Sequence, residues 1–64
     1  MKNLVKVERA RYNLTQAELA DKLKVSRQTI HAIEKEKFNP SVTLALKMAR
    51  VFGVTVEYLF SLED

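Results

Sequence analysis

The chain has 64 residues, among them one glycine, one proline and no cysteine. That length allows one domain, exceeds the roughly 40 residues below which disulfides or metals are usually needed, and is too short to enclose a wide ligand pocket. Apolar residues at 47% and charged residues at 30% suit a folded globule, and eleven Lys and Arg against eight Asp and Glu leave a net +3, which permits a polyanionic partner without requiring one.

Lack of cysteine excludes a disulfide framework and a thiolate metal site. No apolar run approaches the ~20 residues that span a bilayer, and "MKNLVKVERAR" has no signal-peptide core. The expected location is the cytoplasm. Apolar spacing is helical almost throughout, with no internal repeat, low-complexity tract or linker. The expected fold class is therefore all-α, a compact bundle of four to five short helices in a single domain over residues 1–64.

The first helix is expected from about Leu4 to Tyr12, with Leu4, Val7 and Arg11 on one stripe and Val5 near Glu8 and Arg9. Asn13 ends it, being one of the few non-glycine residues that accept a left-handed backbone. "TQAE" then opens the second helix as a capping box: Thr15 accepts from the Glu18 amide, and the Glu18 carboxylate reaches back to Thr15. Leu19 and Leu23 repeat four residues apart, and Ala17 and Ala20 are small enough for close helix approach.

Ser26 caps the third helix, in which Ile30 and Ile33 face inward. So short a connection between two capped helices forces a sharp angle between them. In "FNPS" the proline breaks the pattern and Ser41 caps the fourth helix, near Val42 to Phe52, which packs through Leu44, Ala45, Met48, Ala49 and Phe52 and stops at Gly53. Thr55 caps a last short helix through "VEYLF", with Val56, Leu59 and Phe60 toward the bundle.

Leu19, Ala20, Leu23, Val25, Ile30 and Ile33 have the spacing that lets a helix-turn-helix, about residues 16–36, bury its inner angle. From "VKVERARYNLTQAELA" through "SRQTIHAIEKEKFNPS" to "LKMARVFGV", the chain resembles the Cro/CI-type (XRE) family of DNA-binding domains over nearly all its length. It is most similar to small stand-alone regulators of the cytolysin-operon type.

The resemblance implies a lambda-repressor-like bundle whose third helix, residues 27–36 here, enters the major groove of double-stranded DNA. That groove, about 12 Å wide, admits one helix. Gln28 donates and accepts at once and matches adenine, whereas Arg27 suits guanine or a phosphate. His31 and Ala32 rank lower as base contacts, the alanine through a thymine methyl. Gln16 matches the family's phosphate-clamping glutamine, and Ser26, Thr29, Lys35, Lys37 and Asn39 are further phosphate candidates.

Each of these assignments has a plainer alternative. Arg27 and Gln28 also fit a solvated helix surface, and Lys35 and Lys37, alternating with Glu34 and Glu36, fit a solvated charge cluster. His31 has no cysteine or second histidine with which to share a metal, so neither metal nor cofactor is expected. The resemblance further implies that Arg9 and Glu34 form a structural ion pair, which makes Arg9→Ala more destabilising than Arg11→Ala. Two residues depart from the family: Lys24 where the turn usually has glycine, and Glu36 where the third helix usually ends in "NGK". A left-handed backbone at either would bring about 1 kcal/mol of strain.

Tyr58 and Leu62, and likewise Val42 and Leu46, are spaced as stripes a chain this small cannot bury against itself. With the family resemblance, they point to a homodimer associating through residues 42–64, its recognition helices about 34 Å apart on a palindromic operator. The leading expectation is a repressor of transcription, repression being implied by the resemblance alone. The competing one is a protein-interaction module, such as an antitoxin or coactivator. An enzyme is not expected, since no nucleophile–base–orienter set, metal-ligand spacing or glycine-rich phosphate loop is present. A separate regulatory protein partner is left open.

Overall fold

A computed structural model describes residues 1–62. Its elements in chain order are β1 (Lys2–Asn3), α1 (Val5–Arg11), α2 (Gln16–Leu23), α3 (Arg27–Glu34), α4 (Val42–Phe52), α5 (Val56–Leu59) and β2 (Phe60–Ser61). The five helices match the expected all-α bundle, to which a two-residue antiparallel strand pair is added. Positions 63 and 64 of the expected association region lie outside the described residues. Among the described residues, no helix is long and apolar enough to cross a membrane.

The helix starts follow from side-chain caps. Thr15 Oγ1 accepts from the Glu18 amide at 3.0 Å while Glu18 Oε1 accepts from the Thr15 amide at 2.8 Å, completing the capping box. Ser26, Ser41 and Thr55 likewise accept from the amides of Thr29, Leu44 and Tyr58. Each cap satisfies an amide the helix itself cannot reach.

The helix ends share one device. Asn13, Lys24, Glu36 and Gly53 all have left-handed backbones, with φ of 54°, 59°, 61° and 65°. After each, the next amide bonds back to a carbonyl five residues earlier: Leu14 to Arg9, Val25 to Ala20, Lys37 to Ala32 and Val54 to Ala49. Helix carbonyls that would lack partners are thereby satisfied. Lys24 and Glu36 thus adopt a left-handed backbone without being glycine and carry the strain expected for it.

The core is built by Val5, Leu19, Ala20, Leu23, Ile30, Ile33, Ala45, Met48, Ala49, Phe52, Leu59 and Phe60, all buried. Five of the six expected inner positions of the helix-turn-helix are among them, and Val25 is half-buried against them. Burying Leu19, Leu23, Ile30 and Ile33 contributes on the order of 6–12 kcal/mol in gross terms, an upper estimate. This apolar wedge sets the angle between α2 and α3.

On α1 the stripe Leu4, Val7 and Arg11 faces outward, and Glu8 is buried beside Val5. Glu8 is fully buried, yet it is not stranded: Arg11 Nη1 lies 3.1 Å from Oε2, and the Tyr58 hydroxyl donates to the same oxygen at 2.8 Å. In addition, α5 ends at Leu59, after which β2 pairs antiparallel with β1, Lys2 opposite Ser61 and Asn3 opposite Phe60. Leu62 therefore follows a strand, and helical spacing does not relate it to Tyr58.

Replacing Lys24 with glycine removes the left-handed strain at that turn but adds freedom to the unfolded chain, so a net gain of up to about 1 kcal/mol is expected. Urea denaturation of Lys24→Gly beside the parent chain measures it, with an unchanged slope and a higher midpoint as the expected result.

Candidate nucleic-acid interface

The short turn at residues 24–26 projects α3 from α2, and with Ile30 and Ile33 buried the opposite side of α3 is left in solvent. Arg27, Gln28 and His31 are all exposed there. Together with half-buried Gln16 from the first turn of α2, they line one shallow groove of about 310 Å3. The groove unites side chains from two helices whose amino-terminal turns lie along it.

Ser26 and Thr29 sit at the start of α3, their hydroxyl oxygens 3.0 Å apart. One hydroxyl donates to the other, so the pair retains one O–H for an outside acceptor. Ala32 is half-buried and does not line the groove. Lys35, Lys37 and Asn39 are exposed beyond the carboxyl end of α3. Glu34 does not join Lys35 and Lys37 in a surface cluster, because its carboxylate turns inward.

That carboxylate meets Arg9 through two contacts, Nε to Oε2 at 2.8 Å and Nη2 to Oε1 at 3.2 Å, and the side chains of Arg9 and Glu34 are 17% and 5% exposed. Arg9 Nη1 also donates to the Leu14 carbonyl at 2.9 Å, which holds the loop leading into α2. Gln16 Nε2 donates to Glu34 Oε1 at 3.0 Å. Burial pushes the Glu34 carboxyl up, but the hydrogen bonds from Arg9 and Gln16 and the Arg9 charge outweigh it, so its pKa lies below the ordinary value. In the capping box, the bonds from Thr15 likewise lower Glu18.

Of the side chains expected to form a dimer surface, Val42, Leu46 and Leu62 are 77%, 56% and 84% exposed and line an apolar groove of about 910 Å3 along α4 and α5. Tyr58 is not part of it: its hydroxyl is committed to Glu8, a bond that raises the phenol's pKa above the usual tyrosine value. Among the described residues there is no cluster of three or more histidines or acids able to hold a metal.

Two residues that position this site have no local signature in the sequence. Asn3 Nδ2 donates to the Ile33 carbonyl at 2.8 Å while its Oδ1 accepts from the Val5 amide at 3.2 Å, tying β1 to the end of α3 and the start of α1. The burial of Glu8 against Arg11 and Tyr58 likewise has no local signature.

This arrangement, an apolar-wedged helix pair presenting the leading half of its second helix, is the architecture of helix-turn-helix transcriptional regulators. The helix-turn-helix family profile matches residues 5–59, and the chain belongs to that family, in its XRE branch. It is 59% identical over 64 residues to an uncharacterized HTH-type transcriptional regulator of Methanocaldococcus jannaschii, covering all of this chain and 97% of that protein. A Bacillus subtilis protein named as an HTH-type transcriptional regulator, YgzD, is 45% identical over 64 residues, covering all of this chain and 97% of its own length. Among solved structures, the hypothetical transcription factor NHTF from Neisseria superposes with a TM-score of 0.76 at 26% identity. That match covers 84% of this chain, which spans only 62% of the Neisseria chain.

Arg11 is no neutral reference for Arg9, since it pairs with buried Glu8; the exposed Lys47 serves instead. Arg9→Ala leaves Glu34 uncompensated and is expected to lower stability by roughly 3 kcal/mol relative to Lys47→Ala. Because the folded-state pKa of Glu34 is depressed from 4.5, its contribution is present above that pH and is lost as pH falls through the folded value. Thermal melting should therefore show a midpoint that drops on acidification below about pH 4.5, less steeply in Arg9→Met/Glu34→Leu, with the Glu18 capping box leaving a residual slope.

Proposed function

We propose that the chain binds double-stranded DNA sequence-specifically, with the amino-terminal half of α3 in the major groove, and acts as a homodimeric repressor on a palindromic operator. The observation that carries this reading is the shared exposure of Arg27, Gln28 and His31 along one groove with Gln16. Gln28 is the leading base contact, since its amide matches the adenine edge with one donor and one acceptor. Arg27 reads guanine or clamps a phosphate, His31 contacts bases, and Ala32 reaches a thymine methyl at the edge of the contact. Gln16, Ser26, Thr29, Lys35, Lys37 and Asn39 address the backbone on either side.

Dimerisation is supported by the exposed side chains of Val42, Leu46 and Leu62 on the α4–α5 groove. It is also supported by size. The described chain is 31 Å in its longest dimension, and successive half-sites lie about 34 Å apart. One copy carries one recognition helix, so reading both half-sites takes a second.

The apolar groove also favours a second reading, in which the bundle holds a different protein as an antitoxin or coactivator would. Salt separates the two. Binding to DNA weakens steeply as salt rises because the counterions that binding releases from phosphates gain less entropy in a saltier solution, whereas an apolar protein interface responds little.

Selection of duplexes from a random pool tests the leading reading. A palindrome is expected with the parent chain, and Gln28→Ala should relax the preference at one position of each half-site, a loss of about 1–3 kcal/mol in discrimination. Sedimentation of the same chain should give a dimer at micromolar concentration, and Leu46→Glu should give a monomer. No enriched sequence, or a parent monomer that stays single on DNA, contradicts the proposal.

A further inference from the structure

The ion pair that ties α1 to α3 and the glutamine that lines the DNA-facing groove share one carboxylate. Glu34 Oε1 accepts from both Arg9 Nη2 and Gln16 Nε2, at 3.2 and 3.0 Å, while Oε2 is taken by Arg9 Nε at 2.8 Å. The Glu34 side chain is only 5% exposed, so water competes poorly for these positions. An ionised carboxylate offers acceptors and no donor, and it therefore admits the nitrogen end of the Gln16 amide and rejects the oxygen end. That settles the amide's flip. One N–H goes to Glu34, and the second remains for an outside acceptor on a side chain that lines the groove with Arg27, Gln28 and His31.

We propose that Glu34 is a positioning residue for DNA binding: it pre-sets Gln16 so that the amide meets a backbone phosphate as a donor. This deepens the DNA-binding reading above and rests on it. A glutamine free in solvent has to be ordered and correctly flipped when the phosphate arrives, losing side-chain entropy at that moment. Here the free protein has already ordered it. Arg9 supplies the other half of the device, because a bare carboxylate beside Gln16 would repel the phosphate, and the guanidinium cancels that charge through two contacts.

Fluorescence anisotropy on the selected duplex tests this, with Gln16→Ala introduced into three backgrounds. The first is the parent chain. The second, Arg9→Met/Glu34→Leu, removes acid and cation together so that neither is left buried alone, and melting curves check its fold. The third, Arg9→Met/Glu34→Gln, restores an acceptor for Gln16 without the charge. Gln16→Ala is expected to weaken binding roughly tenfold in the parent. It should weaken binding by no more than about twofold beside Glu34→Leu, the usual error of additivity, and by an intermediate factor beside Glu34→Gln, whose amide can hold Gln16 in place but offers a donor as well as an acceptor and so leaves its flip open.

A purely structural role for Glu34 would lower affinity without erasing the contribution of Gln16. Equal losses in all three backgrounds, or no loss in any, overturn the positioning role while DNA binding by the parent stands. Failure of the parent to bind any selected duplex overturns the reading beneath it as well. A nitrogen-edited spectrum of the parent chain needs no substituted background. The Gln16 side-chain amide should be shifted from free-glutamine values before DNA is added, and free-glutamine values there overturn the proposal.

Discussion

The carboxylate of Glu34 accepts three hydrogen bonds, two from Arg9 on α1 and one from Gln16 on α2, while standing on the last turn of α3. No other side chain described joins these three helices through polar contacts in this way. Its position constrains the groove that Gln16, Arg27, Gln28 and His31 line. Arg9 cannot reach it unless α1 lies across the end of α3, and Gln16 cannot reach it unless α2 opens beside the same turn. The Arg9 bond to the Leu14 carbonyl extends the constraint into the loop that launches α2.

Magnitudes divide the labour between apolar packing and this polar hub. The buried wedge of Leu19, Leu23, Ile30 and Ile33 contributes several times what one part-buried ion pair does, so packing fixes the angle between α2 and α3. Hydrogen bonds then decide orientation within that angle, which an oily contact leaves free to slide because it has no direction. A second polar hub, Glu8 with Arg11 and Tyr58, ties α1 to α5 in the same manner. It also keeps Tyr58 out of the apolar groove on α4 and α5, leaving that groove to Val42, Leu46 and Leu62.

Features that depend on near neighbours were legible before the structure: the caps at Thr15, Ser26, Ser41 and Thr55, the left-handed stops at Asn13 and Gly53, and the inner positions of the helix pair. The caps and stops are local rules, with cause and effect at most a turn apart, and the inner positions follow from helical spacing on each side of one short turn. Arg9 with Glu34 was legible through resemblance alone, since 25 residues separate them. The Asn3 bond to Ile33 and the Tyr58 bond to Glu8 join residues 30 and 50 positions apart and leave no periodicity to read. Two-residue strands escaped for the same reason, as alternation needs a longer run to show. Gln16 was expected to touch phosphate, but its link to Glu34 follows only from how α2 and α3 meet.

The molecule thus presents a polar face, where Gln16, Arg27, Gln28 and His31 converge, and an apolar one along α4 and α5. No residue lines both grooves, so the faces proposed for nucleic acid and for a second copy do not overlap. Titrating a labelled chain with the selected duplex and following backbone and side-chain resonances addresses the assignment of faces most directly. The largest shifts are expected at Gln16, Arg27, Gln28 and His31, with Val42 and Leu46 little changed. Shifts centred on α4 and α5, with the leading half of α3 unmoved, would contradict it.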